Sequence, residues 1–259
     1  MTRTLIVTGC PRSGTTALTK LLNAHPAILL GDERFYWRFE HGLIEPDDFK
    51  RSRFIDVRKE DRHWEEGRAP FPKDPEGAEW DGLSYVGDKY PPLWRVWPTL
   101  AGRLPAARLL FILRNPVSVA MSYRARKEDP SDPWSFDAFA GLKEWNEGVS
   151  AMNSALSSGI DADLVLYEDV FGPQGDPALP FDLLGLDAAE ALGRAEGILE
   201  RARERFAEPT ACDEAMLAAI AKRADWEGYR HLVERRARRP GHLARANDEL
   251  TIHKENRTS

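Results

Sequence analysis

The residues best placed for chemistry come early in the chain: Gly9-Cys10-Pro11-Arg12-Ser13-Gly14-Thr15-Thr16. Their spacing follows the phosphate-cradling pattern G-x-x-x-x-G-K-[ST], but Thr15 stands at the lysine position. A short apolar run leads in, and a stretch with Leu18, Leu21 and Leu22 on one helical face leads out. A strand turning at glycine into a helix N-terminus aims several backbone N–H groups at one point, where the helix dipole favours an anion. Pro11 presets the turn, Arg12 adds a fixed cation with a donor fork, and Thr15 and Thr16 add hydroxyls. Without the lysine the loop is poorly equipped for a γ-phosphoryl group held with Mg²⁺.

A second constellation lies in "RLLFILRNPVSVAMSYRARK", Arg108 to Lys127. An apolar strand ends in Arg114, and Asn115-Pro116 opens a helix, since proline suits the first helical position. Ser122 and Arg126 are four residues apart and share a helix face. With Arg114 at the strand end they form a second anion pocket. One loop and one separate Arg–Ser–Arg group call for a ligand with two well-separated phosphates, which ATP lacks.

Carboxylates and a lysine stand where other strands end. Asp32 and Glu33 follow the second apolar run, and either can take a proton from an attacking hydroxyl. Lys89, just past the third, can neutralise developing charge on a leaving oxygen. Asp88 is placed to orient Lys89 or to cap a turn. His25, before Pro26, and Cys10 are read as packing residues. No His/Cys/Asp spacing suggests a metal site.

These groups need a scaffold of strands that end together. Thr4–Thr8, Ala27–Leu30, Ser84–Val86, Arg108–Leu113 and Asp163–Leu166 are apolar runs without alternation, as strands covered on both faces should be. Helical patterns lie between them, including a stripe of Phe136, Phe139, Trp145, Val149, Met152 and Leu156 expected in the core. The expectation is a three-layer, P-loop-like α/β fold with a mostly parallel five-stranded sheet. Ligands of such sheets sit outside the strand carboxyl ends.

Residues 1–259 read as one domain. Residues 37–81 interrupt it as an aromatic, charge-rich insert, in which Trp64, Phe71 and Trp80 suit an acceptor site. Ala/Glu/Arg-rich helices follow residues 172–180, and a basic and polar tail of about 235–259 is expected to fray. A net charge of −6 and a pI near 5.6 argue against a nucleic-acid binder, so any basic site is local. Two cysteines and no apolar run of membrane length point to a cytoplasmic protein without a membrane partner.

The combination of "GCPRSGTTALTKLLNAHP", "VGDKYP" and "LLFILRNPVSVAMSYRAR" resembles the sulfotransferase family, which uses 3′-phosphoadenosine 5′-phosphosulfate (PAPS) and releases adenosine 3′,5′-bisphosphate (PAP). The resemblance covers residues 5 to 170. It implies that Pro11, Arg12, Ser13, Gly14, Thr15 and Thr16 hold the 5′-phosphosulfate. It implies a 3′-phosphate clamp of Arg114 and Ser122, extended by Arg126 as in the tyrosylprotein branch. Glu33 matches the acidic residue that serves as base in that branch, with Asp32 in reserve. Lys89-Tyr90-Pro91 is similar to the family's Lys-x-Pro, giving Lys89, with Arg12, a leaving-group role. Tyr167, in "LVLYEDV", matches a tyrosine bordering the nucleotide, while Glu168 and Asp169 are read as structural. A sulfuryl group carries one negative charge fewer than a phosphoryl, so the metal-linked lysine is dispensable and no metal is required. The late basic, glycine-rich loop of many cytosolic members is missing, and Arg235–Arg239 or other residues must close the site. The expected activity is sulfuryl transfer to a hydroxyl of a small-molecule, glycan or phenolic acceptor. A P-loop kinase and a non-catalytic nucleotide-binding regulator are the alternatives.

Overall fold

The structure is a computed structural model that describes residues 2–61, 70–207 and 212–236. Strand β1 (Arg3–Thr8) enters helix α1 (Thr15–Asn23) through the glycine-bounded loop and is followed by β2 (Ile28–Asp32). Short helices α2 (Tyr36–Glu40) and α3 (Arg51–Phe54) precede β3 (Tyr85–Lys89), and α4 (Trp97–Leu100) precedes β4 (Arg108–Leu113). Helices α5 (Pro116–Glu128) and α6 (Ala138–Ser157) lead to β5 (Ala162–Leu166). The described chain then closes with α7 (Tyr167–Phe171), α8 (Leu179–Leu184), α9 (Ala189–Arg194), α10 (Glu196–Ala207), α11 (Glu214–Arg223) and α12 (Trp226–Arg235).

The strands form one sheet in the order β2-β3-β1-β4-β5, with each neighbouring pair parallel. Consecutive residues of β1 serve both faces, which explains its unbroken apolar run. Leu5 and Val7 pack with Leu18, Leu21 and Leu22 of α1 and with Phe181 and Leu199. Ile6 packs on the other side with Leu29, Val86, Phe35, Phe39, Phe49 and Phe54. Beyond it, Phe111 and Leu113 meet Val119, Trp145 and Val149 from α5 and α6. The result is the expected three-layer α/β arrangement. No helix among the described residues is long and apolar enough to cross a membrane.

Two sequence expectations change. Strand β2 runs on to Asp32 and β3 to Lys89, so these charged residues lie within strands rather than after them. They can do so because Asp32 and Lys89 are register partners across the β2–β3 ladder. The α6 stripe is buried at Trp145, Val149 and Met152, but Phe136 and Phe139 are exposed. Asp137 caps the helix by accepting from the N–H groups of Phe139 and Ala140, which leaves Phe136 outside it against Trp134. Phe139, in the first turn, lies under the Arg223 guanidinium at 4.3 Å. Within residues 37–61, Phe39, Ile44, Phe49 and Phe54 are buried beneath one sheet face. Trp64 and residues 237–259 lie outside the described residues.

Helix α1 is fastened to the sheet by buried polar groups. Asn23 donates to the carbonyls of Thr19 and Leu30 and accepts from the Leu30 N–H. His25 accepts the Ala27 N–H on Nδ1 at 3.0 Å, so the ring proton sits on Nε2, 3.1 Å from the Asp187 carbonyl. Burial, which disfavours the charged imidazolium, lowers its pKa from 6.5. The folded state therefore binds fewer protons here than the unfolded chain, and the stability His25 contributes is lost as pH falls below about 6.5. Denaturant unfolding of wild type and His25→Asn should show a stability gap that narrows between about pH 7.5 and 5.5. A gap independent of pH would contradict this.

Candidate functional site

The loop after β1 is held open by its backbone. Arg12 and Gly14 take left-handed conformations, with φ of 72° and 97°. Gly14 caps α1 without any side-chain hydrogen bond, so the N-terminus faces outward uncapped by the protein's side chains. A Cβ at Gly14 would lie 2.3 Å from the Tyr167 ring, so only glycine lets loop and ring meet. Arg114 lies over that ring, its guanidinium 4.4 Å from the centroid. Loop, tyrosine and arginine thus form one stack joining the ends of β1, β4 and β5.

This stack forms a wall of a cavity of about 710 Å³. Arg12, Gly14, Thr15, Thr16, Arg114, Ser122 and Tyr167 all line it. Arg12 Nε donates to Ser122 Oγ at 2.9 Å, linking the loop to α5. Desolvation, then repulsion from Arg126 and Arg205, lowers the Arg12 pKa, a sign of concentrated positive charge. Arg114 Nε is buried without a hydrogen-bond partner among the described residues. Asn115 caps α5 by accepting from the Val117 N–H at 2.8 Å, and this cap with Pro116 sets the helix start as expected.

Pro11, Ser13 and Arg126 are not among the cavity-lining residues. Ser13 is fully buried, its N–H donating to the Cys10 carbonyl at 3.0 Å. Arg126 forms a two-pronged pair with Asp132 at 2.5 and 2.7 Å and stacks on Trp134 at 4.2 Å. Cys10 is buried among apolar side chains, and burial pushes its thiol pKa well up. Lys20, Arg201 and Arg205 line the same cavity and were not singled out from sequence. Arg201 and Arg205 are four apart on α10, a spacing that marks a shared helix face but not what that face meets. Arg235 instead bonds Ser157 and the Leu156 carbonyl.

A second cluster sits two strands away. The Lys89 ammonium lies 2.6 Å from Asp32 and 2.5 Å from Glu33 while its side chain is only 2% exposed. Glu33 has φ 58° and donates its N–H to the Lys89 carbonyl at 3.0 Å. Asp32 donates its N–H to the carbonyl of Pro70, which brings the end of the insert to the same place. The sequence treated Asp32 as a spare base, whereas here it shares the lysine with Glu33. At about 4.8 Å between neighbouring strands, this cluster and the Arg114 end of β4 are separated by roughly 10 Å. Arg12 turns towards Ser122. Glu168 accepts the Asn115 N–H at 3.1 Å, and burial raises its pKa, in keeping with a structural part. Among the described residues no group of three or more His, Cys, Asp or Glu side chains is arranged to hold a metal ion.

Removing one partner of a buried ion pair leaves uncompensated charge, which destabilises by about 3–5 kcal/mol. Lys89→Met should show a loss of that order in denaturant unfolding, because Asp32 and Glu33 would then face each other. A loss under about 1 kcal/mol would mean that the lysine does not hold the two strand ends together.

Comparison with known proteins identifies the family and the fold. A profile described as the sulfotransferase family matches residues 4–171, well over half of the chain. A sulfotransferase domain from the curacin biosynthetic pathway shares 14% identity, with 93% of this chain and 99% of that one covered and a TM-score of 0.51. Sulfotransferase STF1 from Mycobacterium tuberculosis H37Rv shares 18% identity over 81% of this chain and 77% of its own, with a TM-score of 0.47. Sulfotransferase STF9 from Mycobacterium avium shares 16% over 77% and 68%, with a TM-score of 0.46. No curated protein sequence matches the chain. The fold is that of the sulfotransferases, and the chain belongs to the sulfotransferase family.

Proposed function

We propose that the protein transfers a sulfuryl group from PAPS to the hydroxyl of a small-molecule, glycan or phenolic acceptor. The observation that carries this reading is the cation-lined cavity beside the loop, with the Nε of the half-buried Arg114 lacking a hydrogen-bond partner among the described residues. A buried guanidinium atom without a partner suits an anionic ligand, and the uncapped α1 N-terminus supplies a second anion site nearby.

Bound there, the donor supplies an activated sulfuryl group. Backbone N–H groups of the loop that Pro11 and Ser13 shape, at Arg12 and from Gly14 to Thr16, and the Thr15 and Thr16 hydroxyls hold its 5′ end. Arg114 and Ser122 hold the 3′-phosphate, and Arg126 braces them from its Asp132 fork or joins them by releasing it. Tyr167 borders the nucleotide, and Arg201 and Arg205 take the place of the missing late loop. Glu33 accepts the acceptor's proton on its carboxylate as the new O–S bond forms. Lys89 and Arg12 stabilise the electron pair left on the 5′-phosphate oxygen. The insert borders the acceptor. Free Cys10 and Cys212 accord with a reducing compartment, the cytoplasm.

The 3′-phosphate is the discriminating group. In calorimetry without added metal, PAP should bind more tightly than AMP by roughly 2–4 kcal/mol, as bonds to charged groups contribute about 1.5–3 each. Equal affinity would remove the clamp, and tight binding only of ATP with Mg²⁺ would favour a kinase.

Glu33→Gln keeps the shape and removes the basicity. Turnover of labelled donor should fall by about 10²–10⁴-fold while PAP affinity stays near wild type. Near-normal turnover in folded protein would take Glu33 out of the mechanism.

A further inference from the structure

Glu33 sits in a conformation that its own residue type disfavours. A non-glycine residue at φ 58° is strained and persists only where its surroundings hold it. The neighbouring backbone shows what does so. Asp88, on β3, is fully buried and is the register partner of Gly31. Its Oδ1 accepts the N–H of Arg34 at 3.0 Å and of Lys89 at 2.9 Å, and its Oδ2 accepts the N–H of Phe35 at 2.8 Å. The two residues after Glu33 are thus tied to one carboxylate, and that carboxylate is also tied to the residue after itself, the lysine.

Gly31 makes room for this. A Cβ there would lie 2.6 Å from Asp88 Oδ1 and 2.5 Å from the Arg34 Cβ. Arg34 is fully buried, with its guanidinium bonded to Asp61 at 2.8 Å and to the Asp56 carbonyl at 2.6 Å. The turn is therefore gripped from both directions, and the Glu33 side chain reaches the ammonium beside that of Asp32. Burying a carboxylate is costly, and burial pushes Asp88 up to about 7 even against its three N–H donors. A group so expensive is a poor source of plain stability, but it fixes backbone geometry well.

We propose that Asp88 is a positioning residue whose buried carboxylate clamps the Gly31–Phe35 turn and thereby aims the Glu33 carboxylate at the acceptor hydroxyl. This rests on Glu33 being the base, as read above.

Asp88→Asn keeps the volume but turns an NH₂ group against at least one of the three N–H donors. Donor consumption is followed with water and with phenol as acceptor probes, and PAP affinity by calorimetry. The variant should lose about 10–100-fold in kcat, since a displacement near 1 Å is enough for that, while PAP affinity changes less than about twofold. In a Glu33→Gln background the same substitution should cause almost no further loss, because a residue acting through Glu33 has nothing left to position. A residue of merely structural importance would lower the melting temperature and add its loss in full to that of Glu33→Gln. Additive losses, or an unchanged kcat for Asp88→Asn, overturn the proposal while leaving the base intact. Full activity of Glu33→Gln alone would instead overturn the base reading itself. If Asp88→Asn gives no folded protein, Gly31→Ala displaces the same turn from the other side and should show the same pattern. Loss of folded protein in both variants would make the carboxylate a folding residue and refute its positioning role.

Discussion

Lys89 brings its ammonium within 2.6 Å of Asp32 and 2.5 Å of Glu33 in a site almost closed to water. Three charges in such a place are tolerable only together. Without the lysine two carboxylates would repel, and without the carboxylates the ammonium would be stranded in low dielectric. The pairing explains why β2 and β3 carry charge to their last residues while staying buried. It also fixes the edge from which the insert departs and to which, through Pro70, it returns. The aromatic cluster beneath the sheet is built around that edge, with Phe35, Phe39 and Phe54 in contact with β-strand residues Leu29 and Val86.

The other half of the carboxyl edge is organised by stacking rather than by charge pairing. Gly14, Tyr167 and Arg114 lie in sequence, and Tyr167 is steadied by its hydroxyl donating to the Ala202 carbonyl at 3.2 Å. Trp145, fully buried in α6, donates its indole N–H to the Arg114 carbonyl at 2.9 Å. Arg114 is thus fixed at its backbone and its ring face, yet its Nε has no partner among the described residues. A rigidly held guanidinium with an unpartnered donor is what a binding wall for anions needs.

Much of this was legible because it is local. Spacing in the loop, the Asn115-Pro116 helix start and the β4 limits follow from nearest neighbours, and the structure has β4 at Arg108–Leu113 as read. Residues whose setting depends on cross-strand pairing were misplaced. Asp32 and Lys89 look like residues beyond a strand until each is seen as the other's counterion. Phe136 and Phe139 fit a helical stripe, but Asp137 starts the helix between them. Arg201 and Arg205 were overlooked among many charged residues of an exposed helix, because only the packing of α10 against α1 and α7 turns them to the cavity. The role of Arg34 in anchoring residues 53–61 was equally hidden, since nothing in its sequence neighbourhood marks it as buried.

The central place of β1 in the strand order separates two neighbourhoods that share a single loop. On one flank lie β3, β2 and the aromatic segment, and on the other β4, β5 and the helices that follow. Above the β2–β3 flank and above the β4–β5 flank the apolar side chains pack as distinct clusters, the first around Phe39 and Phe54 and the second around Trp145 and Val149. On the opposite face a single cluster runs beneath both flanks, from Ile28 and Tyr85 through Leu5 and Val7 to Ile112 and Val165. The two flanks are therefore separate on one face and continuous on the other, so a packing change beside Leu5 or Val7 couples to neighbours on both sides of β1.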